Sequence, residues 1–402
     1  MKRIYQDVIY ENLKKYSQMA FLVGSRQVGK TTIAKQIQNL FKESVYLNFD
    51  VANDREKILS GQSFIEKIFP TNVLRDELPL IIFDEIHKYS KWKNYIKGFY
   101  DAYKDFFKII VTGSARLDVY QAGGDSLMGR YFQYRIHPIS IREIISQNSS
   151  HAFEFAEPSK IGEDEFSWLF KYGGFPDLYL NHSDEFSNLW QNSRMKQLIF
   201  DDIRSLANLQ EIYALELLAE ILKSQAGQML NFSNLAKKIG VTSQTISRWI
   251  GILDRFYYCF TIRPWFKNVT RSLIKEPKVY LRDWSLVEEE GARIENFIAC
   301  HLLKFVDFYT DLGFGKLELF YLRDLDKHEV DFLITKDGIP YIMLESKASD
   351  LHISKSLINF SENLKPHFAM QTVFNMPYVG KSCFQSREPI VVPMKTLLSQ
   401  LI

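Results

Sequence analysis

The sequence predicts an α/β protein built on a parallel sheet that carries a phosphate loop, and three observations lead there. The apolar run Met19-Ala20-Phe21-Leu22-Val23 feeds directly into Gly24-Ser25-Arg26-Gln27-Val28-Gly29-Lys30-Thr31, and Thr32-Ile33-Ala34-Lys35-Gln36-Ile37 continues as a helix. Leu80-Ile81-Ile82-Phe83 and Ile109-Ile110-Val111 are continuous apolar runs, which suit strands covered on both faces. Far downstream, Asp337-Gly338 separates two apolar-rich runs, a strong hairpin signal.

Each element of the first third has a chemical reading. The loop fits G-x-x-x-x-G-K-[ST] without substitution. Two glycines let successive N–H groups face inward as a nest for the β-phosphate, and the following helix presents its positive end. Gly24, Ser25, Arg26, Gln27, Val28, Gly29, Lys30, Thr31 and Thr32 are therefore expected to hold a nucleotide. Lys30 would meet the β- and γ-phosphates, and the Thr31 hydroxyl would take one position on Mg²⁺. Asp84, at the carboxyl end of its strand, would hold the metal through water, and Glu85 would deprotonate the attacking water. The run Lys108–Ser114 ends at the same sheet edge, where Thr112 or Ser114 could sense the γ-phosphate; small polar residues also end strands simply to start a turn. A guanidinium placed against developing phosphoryl charge is expected from Arg130, with Arg116 as the alternative.

Composition sets the outer limits. A chain of 402 residues is too long for one ordinary core. Its formal net charge of +2 supplies no whole-molecule field, so evidence for a nucleic-acid partner must be local. Cys259, Cys300 and Cys383 are far apart and odd in number, which suggests a reducing compartment and no zinc site. The N-terminus has no signal-like apolar segment, and nowhere do 18 apolar residues run together; a cytoplasmic protein with no membrane contact is expected. Pattern breaks divide the chain into an α/β core over 1–145, a helical lid or connector over 146–215, a third segment over 216–285 and a last domain over 286–402. Gly173-Gly174 inside the helical stretch reads as a helix end or, alternatively, a hinge.

The third segment reads as a winged helix. Ser233 can cap a short helix that stops at Gly240, and Thr242 or Ser243 caps a second one. Short helix, glycine-containing turn and second helix make the helix-turn-helix layout. Ile246, Ile250 and Leu253 share an inward face, which leaves Gln244, Thr245, Ser247 and Arg248 outward, residue types that touch base edges or phosphates. Phe256–Ile262 follows as a wing strand. Between Met229 and Ser285, ten basic residues against three acids leave +7 on one small unit. DNA is the expected partner, although such modules also bind proteins.

The last domain carries a carboxylate cluster. The hairpin brings Asp331 beside Glu345 and Lys347, which are two apart on one strand and share a face. An aspartate with E-x-K is what a metal-dependent phosphodiesterase needs, and Glu295 on an upstream helix could add a ligand. The same charges could instead lie on an ordinary exposed sheet face, and a folded site can bind DNA without cutting it.

Taken together these stretches resemble the bacterial and archaeal AAA+-type ATPases of the AAA_14 group that carry a C-terminal DUF4143 domain. The resemblance runs in order through Val23–Thr32, Phe83–Lys88, Val111–Ser114, Ser126–Tyr131, His137–Ser140, Gly173–Pro176, Glu295, Glu329–Phe332 and Glu345–Lys347. It implies a nucleotide-binding core, a winged-helix segment and a C-terminal fold similar to PD-(D/E)xK nucleases, and it supports Lys30, Thr31, Asp84, Glu85 and Arg130. Ser25 stands where proline is common, His87 where glutamine is common, and Arg116 where serine is usual. The expectation is a Mg²⁺-ATP-dependent ATPase acting on or near DNA, with self-association if Arg130 works in trans. A regulatory ATP switch that binds a protein partner and an ATP-gated nuclease are the rivals.

Overall fold

The computed structural model describes residues 1–61, 63–113, 127–146, 152–203, 209–266 and 276–402. They form two compact units, one built on Met1–His137 and the other on Pro138–Ser146 with Phe153–Ile402.

In the first unit the order is α1 (Tyr5–Lys15), β1 (Met19–Gly24), α2 (Lys30–Gln38), β2 (Ser44–Asn48), α3 (Ala52–Leu59), α4 (Ser63–Ile68), β3 (Leu80–Asp84), α5 (Trp92–Tyr103), β4 (Lys108–Thr112) and β5 (Tyr131–Ile136). The strands lie in the order β2-β3-β4-β1-β5, and every pairing is parallel. β1 and β3 are buried at every position, as their unbroken apolar runs require. Phe21, Phe83, Trp92, Ile96 and Phe99 fill one face, with Phe83 edge-on to Phe99 at 5.2 Å. Parallel pairing has a functional consequence: Gly24, Asp84 and Thr112 all emerge at one sheet edge. From there β1 leads off to β2 on one side and β4 to β5 on the other, which opens a crevice at the carboxyl ends of β1 and β4. The α/β core with a parallel sheet is thus as the sequence predicts.

The second unit contains α6 (Ile141–Ile145), α7 (Glu163–Tyr172), α8 (Pro176–Asn181), α9 (Asp184–Lys196), a π-helical turn at Gln197–Ile203, and α10 (Leu209–Lys223). There follow α11 (Phe232–Ile239), α12 (Ser243–Arg255), β6 (Cys259–Pro264), β7 (Lys278–Leu281) and α13 (Glu290–Asp311). The chain ends with β8 (Leu317–Arg323), β9 (Glu329–Lys336), β10 (Ile339–Lys347), α14 (Lys355–Leu364), β11 (Phe368–Val373), β12 (Ile390–Pro393) and α15 (Met394–Ser399). One mixed sheet, β12-β11-β10-β9-β8-β6-β7, takes strands from both sides of residue 285. β9 and β10 are antiparallel around Asp337 (φ 53°) and Gly338 (φ 80°), the two positive dihedrals of a tight primed turn.

Local details differ from the sequence expectation in two places and agree with it in a third. α11 is capped by Asn231, whose side chain accepts from Asn234 N at 2.9 Å, while Ser233 lies inside the helix. The wing strand begins at Cys259 rather than Phe256, because Tyr257 turns through a positive φ of 58°. Gly173, at φ 94°, does end α7, and space demands glycine at both positions. A Cβ at Gly173 would lie 2.7 Å from Asp283 Oδ1, and one at Gly174 would lie 2.5 Å from the Trp284 ring. The three cysteines are free and buried. Among the described residues no helix is long and apolar enough to cross a membrane.

Candidate functional site

β1 delivers Gly24 at the carboxyl edge with φ 145°, where a Cβ would run into the Ile136 carbonyl of β5. Gly29, at φ 98°, then turns the chain into α2. Ser25 and Val28 are buried, while Gln27 is exposed at the loop's outer side. Lys30 is 7% exposed and curls back over its own loop, donating to the carbonyls of Gly24 at 2.9 Å and Ser25 at 2.6 Å. Arg3, which carries no sequence signal, clamps the loop: it donates to Val28 O at 2.8 Å and His137 O at 2.6 Å.

Across β4 from the loop strand, β3 ends in Asp84, a carboxylate 2% exposed and ringed by hydroxyls. Thr31 Oγ1 donates to its Oδ2 at 3.0 Å, the Tyr46 hydroxyl donates to the same oxygen, and the Thr112 hydroxyl donates to Oδ1. Burial, and then the hydrogen bond to Asp84, hold the Tyr46 hydroxyl well above its ordinary pKa. Tyr46 escaped the sequence reading because it comes from β2, and only the pairing of Asn48 with Asp84 brings it near. A carboxylate among rotatable hydroxyls is an all-oxygen set suited to a hard cation that keeps several waters. Thr31 and Asp84 would hold Mg²⁺ here.

Glu85 follows in the left-handed region, φ 56°, a conformation that costs a non-glycine residue of order 1–3 kcal/mol. Its carboxylate lies 3.5 Å from Lys88 Nζ and 3.7 Å from His87 Nε2. Burial raises its pKa above the ordinary carboxylate value; Asp84 and Asp50 add to the rise, while Lys88 and Lys30 oppose it. A raised pKa makes a carboxylate a better base.

Arg130 is not brought to this edge. Pairing of β1 with β5 sets Met19 against Tyr131 and Gly24 against Ile136, so Arg130 precedes β5 at the opposite, amino edge. Six strand positions separate the two edges, roughly 20 Å. There Arg130 holds Asp101 with two bonds, of 2.8 and 3.0 Å. Ser114 and Arg116 lie outside the described residues.

In the second unit the carboxylates sort into two groups. Glu345 gives one oxygen to Lys347 at 2.8 Å and the other to the Ser354 hydroxyl. Burial disfavours the Lys347 charge, but the Glu345 contact outweighs it and raises the pKa. Glu295 and Asp331 instead meet on Lys278, one of the ten basic residues between Met229 and Ser285. Burial pushes Glu295 up to about 7, with Asp331 adding and Lys278 opposing.

α11 and α12 form the expected helix pair, with Thr242 as the cap of α12, accepting from Thr245 N at 3.1 Å. Trp249 joins Ile246, Ile250 and Leu253 on the buried face. Gln244, Ser247 and Arg248 are exposed and Thr245 is half-buried. Arg248 donates to Glu211 of α10 at 2.6 Å. The surplus of +7 is not all outward. Lys278 is buried, and Arg282, its side chain 11% exposed, lies over the rings of Tyr257 and Phe260. Lys237, Lys238, Arg255 and Arg263 are exposed, whereas Lys267, Arg271 and Lys275 lie outside the described residues.

Comparison with known proteins agrees with this architecture. Residues 16–145 match the family model of an AAA domain, AAA_14. Residues 163–290 match a domain of unknown function, DUF8612, and residues 290–395 match another, DUF4143. The chain therefore carries an AAA domain of P-loop ATPase fold and a DUF4143 domain. An uncharacterized protein of Haemophilus influenzae is 22% identical over 365 residues, covering 85% of this chain and 86% of that protein. One of Mycobacterium tuberculosis is 22% identical over 354 residues, covering 84% and 72%. Among solved structures, the Walker-type ATPase PABY2304 of Pyrococcus abyssi is similar at a TM-score of 0.41 and 14% identity, over 70% of this chain and 93% of that one. AMPPCP-bound DnaA of Aquifex aeolicus is similar at 0.31 and 14%, over 62% and 86%.

Proposed function

We propose that the chain binds and hydrolyses ATP in a Mg²⁺-dependent manner and acts on or near DNA through a winged helix formed by α11, α12, β6 and β7. One observation carries the ATPase reading: Thr31 Oγ1 lies 3.0 Å from Asp84 Oδ2. It joins the first turn of the phosphate-loop helix to the end of the acidic strand, where a metal-chelated triphosphate would be gripped from both sides. Lys30 would exchange the Gly24 and Ser25 carbonyls for phosphate oxygens. Bound magnesium supplies charge neutralisation on the phosphates. Glu85 would take the proton of the attacking water, and its raised pKa supports that role. Arg130 could serve only a neighbouring copy, so full turnover would require self-association.

Lys30→Ala should abolish ATP binding in calorimetry. Glu85→Gln should keep ATP and slow hydrolysis by roughly 10²-fold or more. Ordinary ATP affinity in the Lys30 variant would remove the basis of this reading. DNA contact is tested by fluorescence anisotropy, with affinity falling steeply as salt rises. The inward course of Lys278 and Arg282 and the Arg248–Glu211 pair favour a second reading, an ATP switch that docks a protein. Absence of salt-sensitive DNA binding selects it.

A further inference from the structure

Three carboxylates of the second unit converge on a single ammonium. Lys278, at the start of β7, sets its Nζ 2.6 Å from Glu329 Oε1, 3.0 Å from Glu295 Oε1 and 3.6 Å from Asp331 Oδ1. Its side chain is 5% exposed. The acids are fixed from behind as well. Tyr280, two residues along β7, donates to Glu295 Oε1 at 2.7 Å. Arg323 donates to Glu329 Oε2 at 2.7 Å, and Ser346 N and Oγ both donate to Asp331 Oδ2 at 2.9 Å. The acids come from a helix, α13, and a strand, β9, while the lysine comes from the hairpin that follows the helix pair.

Glu329 and Glu295 lie within hydrogen-bonding distance of the ammonium, and Asp331, at 3.6 Å, adds its charge. Carboxylate oxygens can also hold a divalent cation, but these three are spread around Nζ, their ligand atoms not all within 4.8 Å of one another, so a metal would have to draw them closer. The two occupants exclude each other. Metal–oxygen bonds of about 2.0–2.6 Å to these same atoms would put a second, like-charged centre against Nζ. Glu345 stands apart from the trio, its two oxygens accepting from Lys347 and from the Ser354 hydroxyl.

We infer that Lys278 is the resident cation of the Glu295–Glu329–Asp331 cluster. The intact chain takes no divalent ion there and cuts no nucleic acid with it, and removing the ammonium turns the three acids into a divalent-metal site. The inference is independent of the nucleotide site.

The test is a Mn²⁺ titration of the nucleotide-free full chain, read from the electron paramagnetic resonance signal of unbound ion. Wild type and Asp331→Asn should bind the same number of ions. Lys278→Ala should bind one more, and the Lys278→Ala/Asp331→Asn double variant should lose it again. A wild-type equivalent that disappears in Asp331→Asn overturns the inference, as does a folded Lys278→Ala that gains none. If Lys278→Ala fails to fold alone, its recovery on adding Mn²⁺, seen in the thermal midpoint, supports the inference; continued failure overturns it. Mn²⁺-dependent cutting of DNA by wild type that vanishes in Asp331→Asn also overturns it.

Discussion

Hydroxyl groups govern the acidic strand end. Tyr46, Thr31 and Thr112 all donate to Asp84, and each comes from a different element. Tyr46→Phe removes one donor to a charged acceptor, so it should cost about 1.5–3 kcal/mol, read as a lowered thermal midpoint. It should also raise the Mg²⁺ concentration needed for half-maximal ATP turnover. Gly24→Ala meets two obstacles at once, a φ of 145° and the Ile136 carbonyl. Strain of order 1–3 kcal/mol should weaken nucleotide binding roughly tenfold or more, measured by calorimetry, while the circular dichroism of the chain stays unchanged. Lys30, Thr31, Asp84 and Glu85 were legible in the sequence because each follows an apolar run that can only be a buried strand. Tyr46 and Arg3 were not, since what they touch is decided by strand order and by a long-range clamp.

Among the elements, α12 was the most legible, because caps and apolar spacing are local. Thr242, Gly240 and the Ile246–Ile250–Leu253 face can be read within fifteen residues. Charge was the least legible. A count of lysines and arginines does not know which way a strand faces, and β7 faces Lys278 into the interior. Lys237→Ala/Lys238→Ala should therefore weaken DNA binding about equally for all sequences and reduce the salt slope by about 1 for each phosphate left without its lysine. Gln244→Ala should instead change the preference between sequences. A salt titration of anisotropy on two unrelated duplexes separates these outcomes. Arg130 belongs at this scale too: recognising the motif says nothing of which end of β5 it occupies, and the pairing with β1 settles that.

For the molecule as a whole, helix α13 fixes the stretch after His137. Lys304 donates to Pro138 O at 3.0 Å, to Ser140 Oγ at 3.0 Å and to the buried Glu143 carboxylate. Lys304→Met leaves that carboxylate without its ammonium and should cost about 3–5 kcal/mol, visible in urea denaturation. One turn earlier, His301 Nε2 accepts from Ile141 N at 3.1 Å and Nδ1 donates to Phe297 O at 2.8 Å, so the ring is neutral. Burial pushes its pKa down to about 3; Lys304 lowers it further, against Phe297 O and Glu143. The unfolded imidazole binds a proton below about 6.5 and the folded one does not. Stability should therefore be complete above that pH and decline by up to about 1.4 kcal/mol per unit as pH falls toward 3. The urea midpoint of His301→Gln should fall less between pH 6.5 and 5. Such allegiances were invisible in the sequence, where 138–145 reads as the end of the first core; the bonds that decide them span some 160 positions. The seven-stranded sheet has a practical corollary for anyone dissecting the protein. Scissors placed between 285 and 286 would strip β8 of its β6 neighbour and leave Glu295, Glu329 and Asp331 without the Lys278 ammonium, with Arg323 still beside Glu329. That C-terminal fragment, with a raw strand margin and three crowded acids, should precipitate or stay unfolded unless the missing hairpin is supplied beside it.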